Sequence, residues 1–311
     1  MTEPAPSAAA GRRRWFRLGF LAVMLVVLAA TVARNRYHIV DSLRLMSPAA
    51  VVGSFALSAL AGLAGMRVWR SLLADLGAPL AVGDAARIFF LSQLGKYVPG
   101  SLWSIATQME LGRDHDVPRR TSLTVGILTI AVSLGVGLPV AAVMLPLSSP
   151  ATARRYWPVV LLLPVLLAGL HPAVLGRALR LASRLLRRPA PTDLPSWPGL
   201  LRAAGWQSLV WLLLGLHVWV LAVSVGAPAG RSLPAAVGGL ALAYSLGLLA
   251  VPVPAGAGIR DLALALALSA VLPASAALVV ALVSRTLLLL TDLALAGVML
   301  LPGLRRAAGR R

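Results

Sequence analysis

Cysteine is absent from this chain of 311 residues, and charged residues make up only 13% of it. The lack of cysteine excludes disulfides, thiolate catalysis and cysteine-ligated metal centres. A soluble domain has about 25% charged and about 45–50% apolar residues, whereas this chain is 59% hydrophobic. Because one globular core cannot hold so large an apolar fraction, the composition excludes a soluble enzyme and a disordered chain. It predicts a membrane protein.

Acidic residues are also scarce, since ten of them face 29 basic residues and leave a formal net charge of +19. On a soluble protein this excess would suggest a nucleic-acid partner. Here the arginines lie between long apolar runs, which favours anionic membrane lipids as partners and a role in topology. We therefore expect no nucleic-acid partner.

Catalytic motifs are missing as well. The chain contains no P-loop, no Gly-x-Ser-x-Gly elbow, no His-Glu-x-x-His motif and no aspartate pair that would hold a metal at a glycosyl donor. We therefore expect that the protein is not an enzyme and that it uses no cofactor or metal.

Six apolar runs are long enough to cross a bilayer core, which requires about 20 apolar residues. They are residues 16–33, 49–72, 122–145, 156–175, 203–225 and 275–301. Two more apolar stretches, 84–110 and 235–270, are interrupted by proline and glycine, which stop helices. Irregular backbone at membrane depth survives only inside protein or beside a cavity. The sequence thus predicts one all-α polytopic membrane domain over 1–311, with about six spans and two re-entrant helix–break–helix hairpins.

The distribution of basic residues predicts the orientation. With both termini in the cytoplasm, 20 basic residues fall in cytoplasmic segments and 6 in outer segments, as the positive-inside rule requires. Residues 1–14 are then a basic, disordered N-terminus, and 176–202 is a basic cytoplasmic loop. The first apolar run resembles a signal peptide, but its length favours an uncleaved helix. The expected location is the inner membrane.

A faint internal repeat relates the two halves of the chain. Gly77-Ala78-Pro79 precedes the first interrupted stretch, and Gly226-Ala227-Pro228 precedes the second one 149 residues later. The repeats cover residues 49–145 and 203–301, and the expected topology makes them inverted. Paired interrupted segments in two halves point to the binding site of a transporter. Chance similarity in an alanine- and leucine-rich chain is the alternative explanation.

The first interruption contains Lys96, the only lysine of the chain. A charge at the bilayer centre costs about 2.5 kcal/mol or more, so Lys96 is a candidate substrate-binding residue unless it snorkels to lipid phosphates. Gly100 or Ser101 is expected to cap the following half-helix, whose free N–H groups bind anions. Gln93 and Trp103 complete this candidate set. The nearest acidic residues lie 12 and 14 positions away, so we expect Lys96 to be unpaired.

The second interruption repeats this chemistry. Gly256 and Gly258 let the backbone turn, and the helix is expected to restart near Ile259. Arg260 then lies in the first turn, where the helix dipole disfavours a cation unless an anion binds nearby, whereas Asp261 suits that position. The alternative places both charges in water at the outer interface.

The last apolar run contains Arg285 and Asp292, which are seven residues apart. Seven residues are two helical turns, or about 10.5 Å, which is too far for a direct ion pair. The two residues either face one cavity of the site or hold the last helix against its neighbours.

The segments Gln-Leu-Gly-Lys-Tyr-Val-Pro-Gly-Ser-Leu-Trp (93–103) and Pro-Ala-Gly-Ala-Gly-Ile-Arg-Asp (254–261) resemble the lysylphosphatidylglycerol synthase transmembrane-region family. The resemblance covers about residues 15–302. It implies that the region moves lipids: in bifunctional members it is implied to flip aminoacylated phosphatidylglycerol that a separate soluble domain makes. Other members are free-standing or fused to glycosyltransferases. This chain lacks the usual glutamate after Pro99 and carries Asp261 where the family often has glutamate, so lysylphosphatidylglycerol itself is not implied.

The sequence therefore predicts a lipid flippase-like transporter of an anionic amphiphile, either a modified phospholipid or a polyprenyl-phosphate-linked sugar. Its phosphate would rest between two half-helix N-termini beside Lys96 and Arg260. The alternative is a non-transporting membrane partner of a glycosyltransferase or lipid synthase. A third possibility is a transporter of small solutes or ions.

Overall fold

A computed structural model describes residues 46–97, 103–150, 152–154, 160–169, 171–185, 194–249, 256 and 258–308. These residues form helices joined by turns, and they contain no strand. We number the helices α1 (Pro48–Asp75), α2 (Val82–Gln93), α3 (Trp103–Arg113), α4 (Arg119–Leu147), α5 (Leu163–Ala168), α6 (Pro172–Leu185), α7 (Trp197–Ser224), α8 (Ala229–Leu249), α9 (Ile259–Leu268) and α10 (Ala274–Ala308). A 3₁₀ turn over Leu94–Tyr97 extends α2.

Five of these helices are long and apolar enough to cross a membrane, namely α1, α4, α7, α8 and α10 up to Leu300. Their outer surfaces carry exposed large apolar side chains, such as Val52, Leu212 and Leu293, which suits contact with lipid acyl chains. The expectation of an all-α, multi-pass membrane protein is therefore confirmed. The predicted span 16–33 and the N-terminus 1–14 lie outside the described residues.

Two predicted segments differ from the structure. The described part of 156–175 is not one helix, because α5 ends at Ala168 and α6 begins at Pro172. Proline has no N–H with which to continue a preceding helix, so it marks the start of a new one. The predicted loop over 176–202 is helical up to Leu185 and again from Trp197.

Helices α1 and α7 begin in the same way. Each is 28 residues long and follows a serine whose hydroxyl accepts a backbone N–H: Ser47 from Ala50, and Ser196 from Gly199. Both helices have proline in the first turn, where its missing N–H costs nothing. The two serines are 149 residues apart, the same offset that separates the two Gly-Ala-Pro segments.

The two helices also end in the same way. Gly77 and Gly226 adopt φ values of +80° and +95°, which glycine tolerates without a Cβ clash. The next residues close matching Schellman-type bonds, from Ala78 N–H to the Leu73 carbonyl and from Ala227 N–H to the Ala222 carbonyl, each 3.0 Å. The matched sequence segments thus fold into matched turns.

Helices α1 and α7 pack closely in antiparallel directions. Ser54 near the start of α1 bonds to His217 near the end of α7, and Asp75 at the end of α1 bonds to Ser196 at the start of α7. Around this pair, α4 packs against α8, and α10 packs against α2. Each half of the chain therefore contributes a helix to the other half.

Candidate functional site

The first break is a tight helical hairpin. Gly95 lies so close to the start of α3 that a Cβ there would be 2.8 Å from the backbone nitrogen of Ser104. Farther from the turn, the buried Gln108 of α3 donates to Ser92 Oγ of α2 and accepts from Trp69 Nε1 of α1, both at 3.1 Å. These contacts make α2 and α3 antiparallel and fix the hairpin to α1.

The second break is also a hairpin, between α8 and α9. A Cβ on Gly256 would lie 2.7 Å from the Cα of Gly247, and Gly256 has a φ of +63°. Gly258, with φ +80°, is the N-cap of α9, and its N–H donates to Asp261 Oδ2 at 2.9 Å. The glycine turn and the position of Asp261 at the helix start agree with the sequence prediction. However, α8 is long enough to span, whereas α2 and α3 are both short.

Lys96 is not unpaired, which corrects the sequence prediction. Its Nζ lies 2.7 Å from Asp292 Oδ2 of α10 and donates to Gln93 Oε1 at 3.4 Å. Tyr97 OH donates to the same oxygen of Asp292 at 2.5 Å. The prediction was wrong because it considered only carboxylates near Lys96 in the sequence. Asp292 is 196 residues away and reaches Lys96 through helix packing. In an apolar medium such a partner offsets much of the cost of the charge.

The second break has its own ion pair. Arg285 NH1 lies 2.8 Å from Asp261 Oδ2 and 3.2 Å from Oδ1, and the Asp261 side chain is only 6% exposed. One carboxylate therefore caps α9 and binds α10 at the same time. Because removal of one partner leaves a buried charge, we assign this pair a structural role in holding α9 against α10.

Helix α10 supplies one partner to each break. Arg285 holds the second break, and Asp292, two turns farther along, holds the first. Arg285 thus holds the last helix against α9, and Asp292 brings the last helix to Lys96 and Tyr97.

Arg260 has a different environment from the other charges of the breaks. Its guanidinium carbon lies 4.0 Å from the centre of the Tyr244 ring, a cation–π arrangement. Among the residues that the structure describes, no carboxylate is within ion-pair distance of Arg260. Tyr244 is also close enough to Lys96 and Tyr97 to interact with them electrostatically. Tyr244 therefore contacts the cation of the second break and lies within electrostatic range of the first break.

The position of the Lys96–Asp292 pair along the bundle can be read from a neighbouring contact with α1. Thr291, next to Asp292, bonds to Ser58, which lies ten residues, or about 15 Å, beyond the start of α1. A 28-residue helix is about 42 Å long, so the Lys96–Asp292 pair is well inside both ends. Glu110, by contrast, lies exposed at the open end of the first hairpin with Arg113 and Arg119.

The remaining predicted residues are spread around the breaks. Gln93 contacts Lys96, as described, and Trp103 is the first residue of α3 with 53% of its surface exposed. Gly100 and Ser101 lie outside the described residues. No group of three histidine or acidic side chains that could hold a metal occurs in the described part of the chain.

Sequence reasoning missed a buried polar network at the centre of the bundle. His217 is fully buried, with Nδ1 2.6 Å from Ser54 Oγ and Nε2 2.8 Å from Ser284 Oγ. The network joins α1, α7 and α10 next to Arg285, so the histidine is a core residue with both ring nitrogens satisfied. Tyr97 and Tyr244 were also missed. Polar residues isolated within apolar helices were the available signal.

Together these features define a class: an α-helical, multi-pass membrane protein with two helix breaks, each of which forms an ion pair with the last helix. Comparison with known families refines this class. The family described as the lysylphosphatidylglycerol synthase TM region matches residues 14–296, nearly the whole chain, and the protein belongs to that family. The search of curated proteins found no match.

Proposed function

We propose that the protein is a lipid flippase-like transporter that moves an anionic amphiphile, either a modified phospholipid or a polyprenyl-phosphate-linked sugar, across the inner membrane. The family membership and the apolar helices support a role in the membrane. In this proposal the phosphate of the lipid binds beside the two breaks while the acyl or prenyl chains stay in the bilayer. The protein itself performs no chemical reaction.

The observation that carries the proposal is the environment of Arg260. An arginine stays charged even when it is buried, and among the described residues Arg260 has an aromatic ring for a neighbour and no carboxylate. Lys96 is within electrostatic range of the same tyrosine, Tyr244. A bound phosphate would supply Arg260 with the anionic partner that it lacks among the described residues, through charge-assisted hydrogen bonds.

The packing of the two halves supports alternating access. Helices α1 and α7 have the same length and the same kind of N-terminal cap, and they occupy equivalent positions in the two repeats. They nevertheless run antiparallel. In addition, α4 packs on α8 as α10 packs on α2. This is the arrangement expected of inverted repeats, whose rocking about a central site alternates access. In this proposal both hairpins are re-entrant and open to opposite sides.

Orientation with both termini in the cytoplasm belongs to the proposal. The bond between Asp75 and Ser196 keeps the end of α1 and the start of α7 on the same side, as that topology requires. Gly176 of α6 packs against Leu194, just before α7, so the neighbouring exposed Arg177 and Arg180 belong to the same side, where positive charge is favoured.

The test is a lipid-movement assay in proteoliposomes with fluorescent phosphatidylglycerol and phosphatidylcholine. Arg260→Ala and Lys96→Ala are expected to abolish movement of the anionic lipid while the protein remains folded, and Lys96→Arg is expected to retain part of it because the charge remains. Arg67→Ala is the matched control, since Arg67 also lies over an aromatic ring, that of Trp206, but is exposed and belongs to α1 and not to either break. Wild-type rates in Arg260→Ala and Lys96→Ala would contradict the proposal.

The second candidate function is a non-transporting membrane partner of a glycosyltransferase or lipid synthase. The exposed arginines of α6 favour it, because an acidic surface of a soluble protein would complement them. It predicts that Arg260 and Lys96 are dispensable, whereas Arg177→Glu and Arg180→Glu together abolish the partner's activity in the membrane.

A further inference from the structure

We propose that Lys96 and Tyr97 are the phosphate-binding groups of the first break, and that Asp292 is an internal counter-anion which the lipid phosphate displaces. The inference rests on the proposed function, since it concerns the same site. It adds Tyr97 as a ligand and gives Asp292 a regulatory role. The ligand class is a lipid headgroup with a phosphate monoester or diester.

The geometry at Asp292 is that of an occupied anion site. One oxygen, Oδ2, receives both Lys96 Nζ at 2.7 Å and Tyr97 OH at 2.5 Å. A cation and a hydroxyl that converge on one point are donors that also fit an oxygen of a phosphate. Asp292 therefore fills the position that a substrate oxygen would take.

The two partners belong to different halves of the chain. Lys96 and Tyr97 lie at the break of the first half, whereas Asp292 is on α10 of the second half. Separation of the halves would pull the carboxylate away from its donors, and a phosphate would leave both donors satisfied. The side chains of Lys96 and Asp292 keep 25% and 15% exposure, so a headgroup has a way to reach the pair.

The ion pair of the second break lacks this freedom. Asp261 binds both Arg285 and the backbone N–H of Gly258. Asp261 and Arg285 also lie in the same repeat of the chain. Release of Asp261 from these partners would leave the start of α9 without its cap. The two acidic residues of the breaks thus differ in a way that identifies Asp292, and not Asp261, as the exchangeable one.

The experiment measures binding of short-chain dioctanoyl phosphatidylglycerol to the purified full chain, with dioctanoyl phosphatidylcholine and inorganic phosphate as the other arms. If Asp292 occupies the site in about nine molecules of ten, its removal raises the apparent affinity about tenfold. Asp292→Asn is expected to bind phosphatidylglycerol about tenfold more tightly than the wild type. Tyr97→Phe and Lys96→Gln are expected to bind it more weakly, and any phosphatidylcholine binding is expected to change in the same direction because that lipid also carries a phosphodiester.

Two controls keep the test decisive. Asp261→Asn removes the comparable carboxylate of the second break and is expected to lower thermal stability without any gain in affinity. If Asp292→Asn is unstable alone, the shift of its melting temperature by phosphatidylglycerol is the readout, and that shift is expected to exceed the shift of the wild type. An equal or weaker response of Asp292→Asn would overturn the proposal, and an equal gain for inorganic phosphate would overturn its lipid part.

Failure of this inference is distinct from failure of the proposed function. A wild type that moves phosphatidylglycerol while Asp292→Asn gains no affinity would refute the exchange and leave transport intact. A wild type that neither binds nor moves any anionic lipid would refute the proposed function itself.

Discussion

The two breaks contain similar residues but hold their charges in different ways. At the first break, Lys96 and Tyr97 share a carboxylate that comes from the other half of the chain. At the second break, Asp261 binds Arg285 of its own half and caps a helix as well. The comparison suggests that the donors of the first break can exchange their carboxylate for another anion, whereas the ion pair of the second break stays in place.

The largest effect is expected from replacement of each ion pair by apolar residues. Exchange of a buried pair for hydrophobic side chains of similar volume is often neutral or stabilising, so Lys96→Met with Asp292→Leu is expected to preserve stability and to abolish lipid movement. Asp261→Leu with Arg285→Met also removes the cap of α9 and is expected to lower stability. Thermal unfolding and the proteoliposome assay, run on both double variants, measure the difference. Full transport in the first double variant would show that its ion pair has no role in transport.

Loss of one partner at the second break is the next largest effect. Asp261→Ala leaves Arg285 without its carboxylate and Gly258 without its hydrogen-bond acceptor. Removal of one member of a buried pair costs about 3–5 kcal/mol. The free energy of unfolding, measured by titration with denaturing detergent, is expected to fall by that amount. A change under about 1 kcal/mol would show that the pair is hydrated.

Glycine contacts provide a comparison of the two turns. Gly256→Ala places a Cβ 2.7 Å from Gly247 and forces alanine to a φ of +63°, and Gly95→Ala places one 2.8 Å from Ser104. Overpacking costs about 1–3 kcal/mol, so both variants are expected to lose stability, Gly256→Ala more because its backbone is also strained.

Gly77→Ala is the matched control for strain alone. Its φ is +80°, but nothing lies within 4 Å of the added Cβ. It is expected to lower the melting temperature less than Gly256→Ala does. Equal losses in the two variants would show that the contact between Gly256 and Gly247 contributes nothing.

The smallest effect is expected outside the breaks, at Glu110. A hydrogen bond from Arg119 lowers the pKa of this exposed carboxyl group, and Arg113 adds to the shift. A lowered folded-state pKa gives stability that is present above the unfolded pKa and is lost as the pH falls through the folded one. Glu110→Gln is expected to lower the melting temperature slightly at pH 7 and by less at pH 3. A larger change would assign the open end of the hairpin a structural role.

The sequence was sufficient for features that depend on local chemistry. Four of the six apolar runs match the candidate spans α1, α4, α7 and α10 to within six residues, and the two Gly-Ala-Pro segments, which indicated a repeat, lie at turns of the same kind. It was also sufficient to find Asp261 at the start of a helix, because that preference depends on neighbours along the chain.

Partners that meet only through packing were beyond the sequence. Lys96 and Asp292 are 196 residues apart, and nothing local to either residue indicates the other. The same holds for His217 and Ser54, which meet only in the folded chain. The sequence separation of Arg260 and Tyr244 also gives no sign that the two side chains are in contact. The predicted span 156–175 failed for a simpler reason, since the proline at 172 ends one helix and begins the next.

The most direct test of the account follows the distance between halves of the chain when lipid binds. The absence of cysteine allows spin labels at Arg87→Cys of α2 with Leu293→Cys of α10, and, as the matched pair, at Leu262→Cys of α9 with Leu290→Cys of α10, all at exposed positions. The account predicts that dioctanoyl phosphatidylglycerol shifts the α2–α10 distance distribution and leaves the α9–α10 distribution unchanged. An α2–α10 distribution that stays fixed while the lipid binds, or equal shifts in both pairs, would contradict it.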